Sequence, residues 1–189
     1  FDEMNAAGLM LGFDQRFGHN AAGNFDTARA WGAARGVEVR RGPEIIRAGS
    51  KVSSSAIRMA IAGGRLDDAA AMLGRPASLY GSVVRGDGRG SRIGFPTANI
   101  DLHHELLPPR GGYLARTELD GKPFTAVVNI GNRPTFGEGK RDVVEAHVLG
   151  WTGDLYGRNV ELTLVRKIRD ERKFESAEAL VDAALKAVR

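Results

Sequence analysis

The sequence is organised around the stretch Gly81-Ser-Val-Val-Arg-Gly-Asp-Gly-Arg-Gly-Ser-Arg-Ile-Gly-Phe-Pro-Thr-Ala-Asn-Ile100. Five glycines fall within its first fourteen positions, three arginines lie between them, and a Pro-Thr-Ala-Asn segment follows. Glycines let backbone N–H groups approach a ligand closely, and arginines present forked donors that suit phosphate oxygens. A hydroxyl and an amide after a proline are oxygen ligands of the kind that Mg²⁺ prefers. The stretch therefore predicts a loop that binds a nucleotide triphosphate.

Neither of the two common glycine-rich phosphate motifs is present in the chain. The sequence contains no G-x-x-x-x-G-K-[ST], and its spacing G-x-G-x-G-x-x-x-G differs from the dinucleotide-binding G-x-G-x-x-G. Glycine content alone also fits a flexible hairpin loop with solvated arginines, because glycine is common in turns. The loop by itself therefore leaves both interpretations open.

Downstream of the loop, the sequence has the pattern of short strands. A boundary is predicted at Gly74-Arg75-Pro76, and strands are predicted at 79–84, 112–118, 124–130, 143–149 and 160–168. Turn residues such as Asp120-Gly121 separate them, and alternation is clear over 160–168. This pattern predicts an antiparallel barrel or sandwich. Ser176 is predicted to cap a final helix over 177–188.

Upstream of the boundary, residues 1–74 alternate between strand and helix patterns. Gly8–Gly12 is predicted to be a buried parallel strand, followed by a polar glycine loop and by a helix that Asp26 caps and Gly36 ends. A strand is predicted at 37–39, and Ser53 is predicted to open the next helix. A further helix over 66–73 is predicted to stop at Gly74.

Composition narrows the class of protein. The formal net charge is +4 and the sequence contains no cysteine, which excludes disulfides, thiolate zinc sites and a cysteine nucleophile. No apolar run reaches the length of a membrane span, and we expect a cytoplasmic protein. The arginines cluster near glycines, and only 7% of residues are aromatic. The basic character therefore favours small phosphorylated substrates over nucleic acid or membrane.

The glycine stretch and a series of blocks after it resemble the riboflavin kinase family. The signature Gly86 to Asn99, ending in G-F-P-T-A-N, is followed in order by Leu107-Pro108, Gly112-Tyr113, Asn129 to Phe136, Glu145-Ala146-His147, Asp154 to Gly157 and Arg169 to Phe174. In bacteria this family forms the C-terminal module of a bifunctional riboflavin kinase/FAD synthetase. The resemblance implies that residues 75–189 form a six-stranded Greek-key barrel with a C-terminal helix.

Residues 1–74 resemble the C-terminal portion of the FMN adenylyltransferase domain of the same bifunctional enzyme. Asp14 in a glycine loop, together with Ser53, Ser54 and Arg58, matches its nucleotide motifs. That family also uses an H-x-G-H motif, which this sequence lacks. We therefore expect an incomplete, Rossmann-like segment without adenylyltransferase activity, in a chain that is α+β overall. For the serines, a plain helix cap remains the alternative.

The resemblance also implies roles for residues of the barrel half. ATP and its phosphates would contact Gly86, Gly88, Gly90, Arg92, Gly94, Thr97 and Asn99, and Mg²⁺ would bind Thr97 and Asn99. Residue types alone also allow Thr97 and Asn99 to be a turn-stabilising pair after Pro96. Arg169, Arg172 and Phe174 would contact the flavin, although Phe174 could instead anchor the last helix.

Glu145 is the predicted general base. It lies in a strand pattern in which Val144, Ala146 and Val148 share one face, so Glu145 and His147 share the other. Pattern alone is typical of a solvated strand glutamate. The resemblance instead implies that Glu145 takes the proton from the riboflavin 5′-hydroxyl.

The sequence therefore predicts an ATP-dependent riboflavin kinase that makes FMN with Mg²⁺. Two alternatives belong to other classes of protein. Small Greek-key barrels often bind oligonucleotides, and a related barrel could hold FMN without turnover. Neither alternative accounts for the combination of the glycine loop, Thr97, Asn99 and a strand glutamate.

Overall fold

A computed structural model describes residues 6–47, 49–86, 97–103, 106–134 and 140–170. The chain divides into two compact units, Phe1–Val52 and Ser53–Arg189. The helices that follow Ser53 therefore belong to the same unit as the barrel. The predicted boundary between family domains at 74–75 is a different kind of division, and it stays a prediction.

The first unit is a small α/β arrangement. Strand β1 (Gly8–Leu11) pairs in parallel with β2 (Glu38–Arg41), and a 3₁₀ helix (His19–Ala21) and helix α1 (Phe25–Ala33) connect them. A short hairpin of β3 (Ile46–Arg47) and β4 (Ser50–Lys51) follows. The prediction that β1 is buried was wrong, since only Leu11 of that strand is buried. A parallel strand is buried when both sheet faces are covered, and β1 pairs only with β2 among the described residues.

The predicted cap of α1 was also wrong. Asn24, two residues before Asp26, is the N-cap: its Oδ1 accepts the Thr27 N–H at 3.0 Å, and Thr27 Oγ1 accepts the Asn24 N–H at 3.3 Å. Both residue types are good caps, and the reciprocal bonds with Thr27 select Asn24. Asp26 lies in the first turn, where its negative charge interacts favourably with the positive end of the helix dipole.

The two predicted helices after Ser53 open the second unit. Ser53 caps α2 (Ser54–Ala62), since its Oγ accepts the Ala56 N–H at 3.1 Å. Helix α3 (Leu66–Leu73) ends at Gly74, whose φ of 73° is the left-handed conformation that glycine adopts without strain. Ala60, Leu66 and Ala69 are the buried side chains of this pair.

The rest of the second unit is a closed antiparallel barrel, which confirms the predicted fold. Its strands are β5 (Ser78–Val84), β6 (Ala98–Leu102), β7 (Gly111–Leu119), β8 (Lys122–Pro134), β9 (Lys140–Val148) and β10 (Asn159–Arg169). They close in the order β10-β5-β6-β9-β8-β7. Because β6 to β7 and β9 to β10 connect strands that are not neighbours, the order is a Greek key. The predicted C-terminal helix lies outside the described residues.

The barrel encloses the hydrophobic core. Alternate residues of each strand point inward, among them Val128, Ile130, Val144, Ala146 and Leu162. Pattern analysis had found five of the six strands and had missed β6, which is short and directly follows the glycine loop. The inward alternation has a direct consequence for the site, because it leaves the intervening residues of β6, β8 and β9 on the outer surface.

Tyr113 is the largest fully buried side chain of this core. Its hydroxyl donates a hydrogen bond to the Pro109 carbonyl, and burial followed by the charge of Asp170 raises the pKa of Tyr113 to about 12. The tight turn between β7 and β8 contains Asp120 and Gly121 with φ of 50° and 71°. Two positive φ values are typical of the type I′ turn that matches the twist of a hairpin.

Candidate active site

The barrel's register aligns three predicted site residues in one row across neighbouring strands. Asn99 of β6 pairs with Glu145 of β9, which pairs on its other side with Asn129 of β8. Asn129 pairs with Gly112 of β7, and Gly112 pairs with Arg169 of β10. We call these five residues the outer row.

The outer row lies on the outside of the barrel. The neighbours of Glu145 along β9, Val144 and Ala146, are buried in the core, and the same alternation confirms the predicted faces of this strand. Asn99, Glu145, Asn129 and Arg169 are each half-buried. Directly paired side chains on an antiparallel sheet have Cβ atoms about 4.5–5.5 Å apart. The row therefore brings an amide, a carboxylate and a second amide into side-by-side contact range.

Gly86, at the start of the glycine loop, packs against the side chain of Asn99. A Cβ placed on Gly86 would lie within 2.9 Å of the Asn99 Oδ1 and closer still to the amide nitrogen. Real Cβ atoms do not approach this closely, so Gly86 must lack a side chain for Asn99 to hold its position. Gly88, Gly90, Arg92 and Gly94 lie outside the described residues, and their predicted phosphate contacts stay predictions.

Thr97 lies just before β6 and lines a cavity of about 230 Å³. The cavity wall is formed by one end of the barrel core and by the connection from β9 to β10: Val83, Ala98, Ala146, Val148, Trp151, Thr152, Gly153, Asp154, Leu155 and Tyr156. Glu145 is not part of this lining, because it points to the opposite face of β9 from Ala146. Thr97 thus borders the cavity, and Asn99, two residues later, belongs to the outer row.

Trp151 is held in the cavity wall by contacts on several sides. Its indole N–H donates to the Gly153 carbonyl at 2.7 Å, and its ring meets Phe124 edge to face at 5.3 Å between centroids. The guanidinium of Arg158 lies 5.7 Å from the Trp151 ring centre. Because a short loop would otherwise be free to move, these contacts give the cavity a fixed aromatic wall.

Arg158 connects this wall to the β7–β8 turn through an ion pair with Asp120. The hydrogen bond from Arg158 holds the pKa of Asp120 below its ordinary 3.8. Apart from Thr97, no role had been predicted for the cavity residues, although the block Asp154 to Gly157 belonged to the family resemblance. That block was the signal from which the cavity residues could have been predicted. It is polar and aromatic and matches the family together with the other blocks, which indicates more than a turn.

Arg169 lies at the far end of the outer row from Asn99. Its Cγ and Nε would each be 3.3 Å from a Cβ placed on Gly112, so the side chain extends over β7. Its Nε and Nη2 atoms are buried. Arg172 and Phe174, the other predicted flavin contacts, lie outside the described residues.

The predicted adenylyltransferase residues fall in different compact units. Asp14 is in the first unit, where it forms an exposed ion pair of 2.6 Å with Lys51, whose hydrogen bond lowers the pKa of Asp14. Ser53, Ser54 and Arg58 belong to the second unit, and Ser53 acts there as the cap of α2. The cap accounts for Ser53, and a nucleotide-binding role for these residues stays a prediction.

Two kinds of feature are absent from the described residues. No group of three or more His, Cys, Asp or Glu side chains in that part of the chain could hold a metal ion. No helix in the same part is long and apolar enough to cross a membrane.

Comparison with known proteins finds a family model that matches each part of the chain. The protein-family model described as riboflavin kinase matches residues 73–188, and the one described as FAD synthetase matches residues 1–56. The bifunctional riboflavin kinase/FMN adenylyltransferase of Escherichia coli K12 is 39% identical over 173 residues, which cover 91% of this chain and 55% of that protein. The enzyme of the same name from Pseudomonas fluorescens is 37% identical over 183 residues, 96% of this chain and 58% of that one.

A solved structure from Streptococcus pneumoniae, described as a macrolide-efflux protein, matches with a TM-score of 0.78 and 33% identity. The match covers 98% of this chain and 60% of that one. The chain thus spans about half the length of the curated relatives it matches. Since the riboflavin kinase model covers more than half of the chain and the barrel has the expected topology, this chain belongs to the riboflavin kinase family.

Proposed function

We propose that the barrel half of this chain transfers the γ-phosphoryl group of ATP to the 5′-hydroxyl of riboflavin. The observation that carries the proposal is the pairing of Asn99 with Glu145 in the outer row. Phosphoryl transfer requires bound phosphates, neutralised charge and an alcohol that can lose its proton. Asn99 would serve charge neutralisation by holding Mg²⁺ through its amide oxygen, and the paired Glu145 carboxylate would accept the proton, although the two residues come from distant parts of the sequence.

Glu145 is the proposed general base. Its carboxylate accepts the proton of the 5′-hydroxyl while the new bond forms between that oxygen and the γ-phosphorus. The bond from the γ-phosphorus to the β–γ bridging oxygen breaks, and ADP leaves with the electron pair. Because β9 is hydrogen-bonded on both sides, by β6 and β8, the carboxylate is attached to backbone that the sheet holds in register.

Thr97 and Asn99 are the residues that would hold Mg²⁺. The fit is supported by their chemistry and by the packing of Gly86, which fixes the Asn99 amide next to Glu145. These are hard oxygen donors, and they suit a cation that retains several waters and phosphate oxygens. When bound, the metal would neutralise the charge on the phosphates.

The cavity beside Thr97 is proposed to bind the adenine ring of ATP. Its lining is mostly apolar and includes the fixed ring of Trp151, as expected for a site that binds a planar heterocycle. Because Thr97 borders the cavity, the adenine ring and the phosphates of ATP would lie on either side of this residue. Arg169, at the other end of the outer row, would then lie on the flavin side.

For a longer protein that includes this chain, we infer a second activity, the adenylylation of FMN to FAD. The match of residues 1–56 to FAD synthetase and the names of the relatives support it. The chain itself contains no H-x-G-H motif, so we predict that it makes FMN without FAD. A cytoplasmic location and Mg²⁺ as the metal are likewise predictions.

The test is an assay with riboflavin, ATP and Mg²⁺ in which FMN and FAD are separated and quantified. We expect FMN and no FAD. Glu145→Gln should lower kcat by a factor of about 10² to 10⁴, since one general base contributes that much, while ATP binding is retained. Glu118→Gln is the matched control, because Glu118 is an exposed strand glutamate of β7. Normal turnover by Glu145→Gln would exclude Glu145 as the base, and no FMN from the unmodified chain would overturn the proposed function.

A further inference from the structure

Gly112 of β7 is distinguished by what its missing side chain would touch. A Cβ at this position would meet three atoms of one residue, the Cγ, Nε and Cδ of Arg169, at 3.3, 3.3 and 3.9 Å. The first two contacts are tighter than ordinary van der Waals distances. The space over Gly112 is therefore occupied by the Arg169 side chain.

The neighbouring Gly111 is a glycine for a different reason. Its φ is +147°, and a Cβ there would lie 2.6 Å from the Lys167 side chain and closer still to the Arg169 carbonyl oxygen. Gly111 is thus required by the backbone of the barrel. Gly112 has no such restriction, since its φ lies outside the positive range and no backbone atom is near its missing Cβ. An alanine at 112 would fit the strand and conflict only with Arg169.

We propose that Gly112 is a positioning residue of the active site, because it lets the Arg169 side chain cross β7 toward Asn129 and Glu145. This inference rests on the proposed function. Strands lie about 4.8 Å apart, so Asn129 is one strand beyond Gly112 and Glu145 is two. A side chain that starts at Arg169 and passes over Gly112 presents its guanidinium to the middle of the outer row. The buried Nε and Nη2 of Arg169 agree with a guanidinium held against the sheet.

The consequence is that the Arg169 guanidinium is held beside the proposed binding site of riboflavin, the phosphoryl acceptor. An arginine at the edge of the barrel would have many rotamers, whereas one laid across a glycine has few. A guanidinium held in place contributes more to binding than a mobile one, because less conformational freedom is lost when a substrate docks. Gly112 thus influences the substrate through Arg169 without touching it.

A double-mutant cycle tests this coupling. Gly112→Ala is expected to lower kcat/KM for riboflavin about tenfold, mainly through KM, with no decrease in thermal stability. In an Arg169→Met background, Gly112→Ala should change kcat/KM less than twofold, because the side chain that it displaces is absent. Arg116→Met is the control, since Arg116 is an exposed arginine on the same strand. Equal effects of Gly112→Ala in both backgrounds would overturn the proposal.

A second measurement does not depend on activity. The measurement is an NMR spectrum that selects arginine side-chain Nε–H groups. The buried Nε–H of Arg169 should exchange slowly with water, and Gly112→Ala should make this exchange fast. Arg169→Met assigns the signal. An unchanged, protected signal in Gly112→Ala would refute the placement even if the enzyme is active. If the unmodified chain makes no FMN but the signal responds as expected, the proposed function fails and the Gly112–Arg169 placement stands.

Discussion

The two compact units of this chain differ in how their strands are paired by hydrogen bonds and in how much of each sheet is buried. In the barrel unit, six strands close on themselves and enclose a core that includes Tyr113, Ile130 and Leu162. In the described part of the first unit, each sheet has two strands, and Leu11 and Ala28 are the buried hydrophobic residues. Closure removes strand edges and fixes register, whereas a two-stranded sheet does neither.

This difference teaches where precise side-chain placement is possible. In the barrel, hydrogen bonds on both sides of β9 hold Glu145 opposite Asn99 and Asn129. In the first unit, Asp14 depends on a single exposed ion pair with Lys51, in which Asp14 is 68% exposed. Such pairs are screened by salt and contribute little to stability. A carboxylate that must act on a substrate is therefore held in position more precisely in the barrel than in the first unit.

The largest expected effect is on stability, and it separates the units. Ile130→Ala, at a residue 0% exposed, should cost about 2–5 kcal/mol in the free energy of unfolding of the barrel. Ile46→Ala in the first unit, at a residue 57% exposed, should stay within about 0.5 kcal/mol. The chain has two tryptophans, Trp31 in the first unit and Trp151 in the second, so variants that keep only one of them report the urea unfolding of each unit separately. A comparable loss from both substitutions would contradict the contrast.

The next effect concerns the start of the glycine loop. Gly86→Ala should displace the Asn99 amide and lower kcat/KM by about tenfold or more, because the new Cβ and the amide cannot share the space. Gly12→Ala in the first unit is the matched control, since its Cβ would make an ordinary 3.7 Å contact with Gln15. Steady-state kinetics of FMN formation measures both. Unchanged kinetics in Gly86→Ala would remove Asn99 from the site.

The smallest effect compares the two exposed ion pairs. Arg158 lowers the pKa of Asp120, and Lys51 lowers the pKa of Asp14, in each case chiefly by a hydrogen bond. A carboxyl group with a lowered folded pKa stabilises the native state above its unfolded value of about 4, and that contribution is lost as pH falls through the folded pKa. Asp120→Asn and Asp14→Asn should therefore each lower the melting temperature slightly at pH 7, and the difference should shrink as the pH falls below 3.8.

The same pair of variants separates stability from function. Asp120 supports Arg158 against the Trp151 wall, so Asp120→Asn should also raise the KM for ATP. Asp14→Asn should leave that KM unchanged, because every residue that lines the cavity belongs to the second unit and Asp14 does not. Kinetics at pH 7 in low and high salt measures the difference, and a higher KM for ATP in Asp14→Asn would argue against it.

Local sequence chemistry predicted much of the fold. The cap at Ser53, the stop at Gly74, the turn at Asp120-Gly121 and the inward alternation of β9 each depend on near neighbours along the chain. The cap of α1 was misassigned between Asn24 and Asp26, since both residue types accept the same bonds. Strand β6 was missed because five residues next to a glycine loop carry too little periodicity to be recognised.

By itself, the sequence determined the class of the barrel, five of its six strands and the residue types available for phosphoryl transfer. The outer row was decided only by tertiary structure, because Asn99, Asn129, Glu145 and Arg169 are brought together by the register of strands that lie far apart in the chain. Register depends on closure of the whole barrel around its core, and no local segment contains that information. The need for glycine at Gly112 likewise arises from a side chain of another strand.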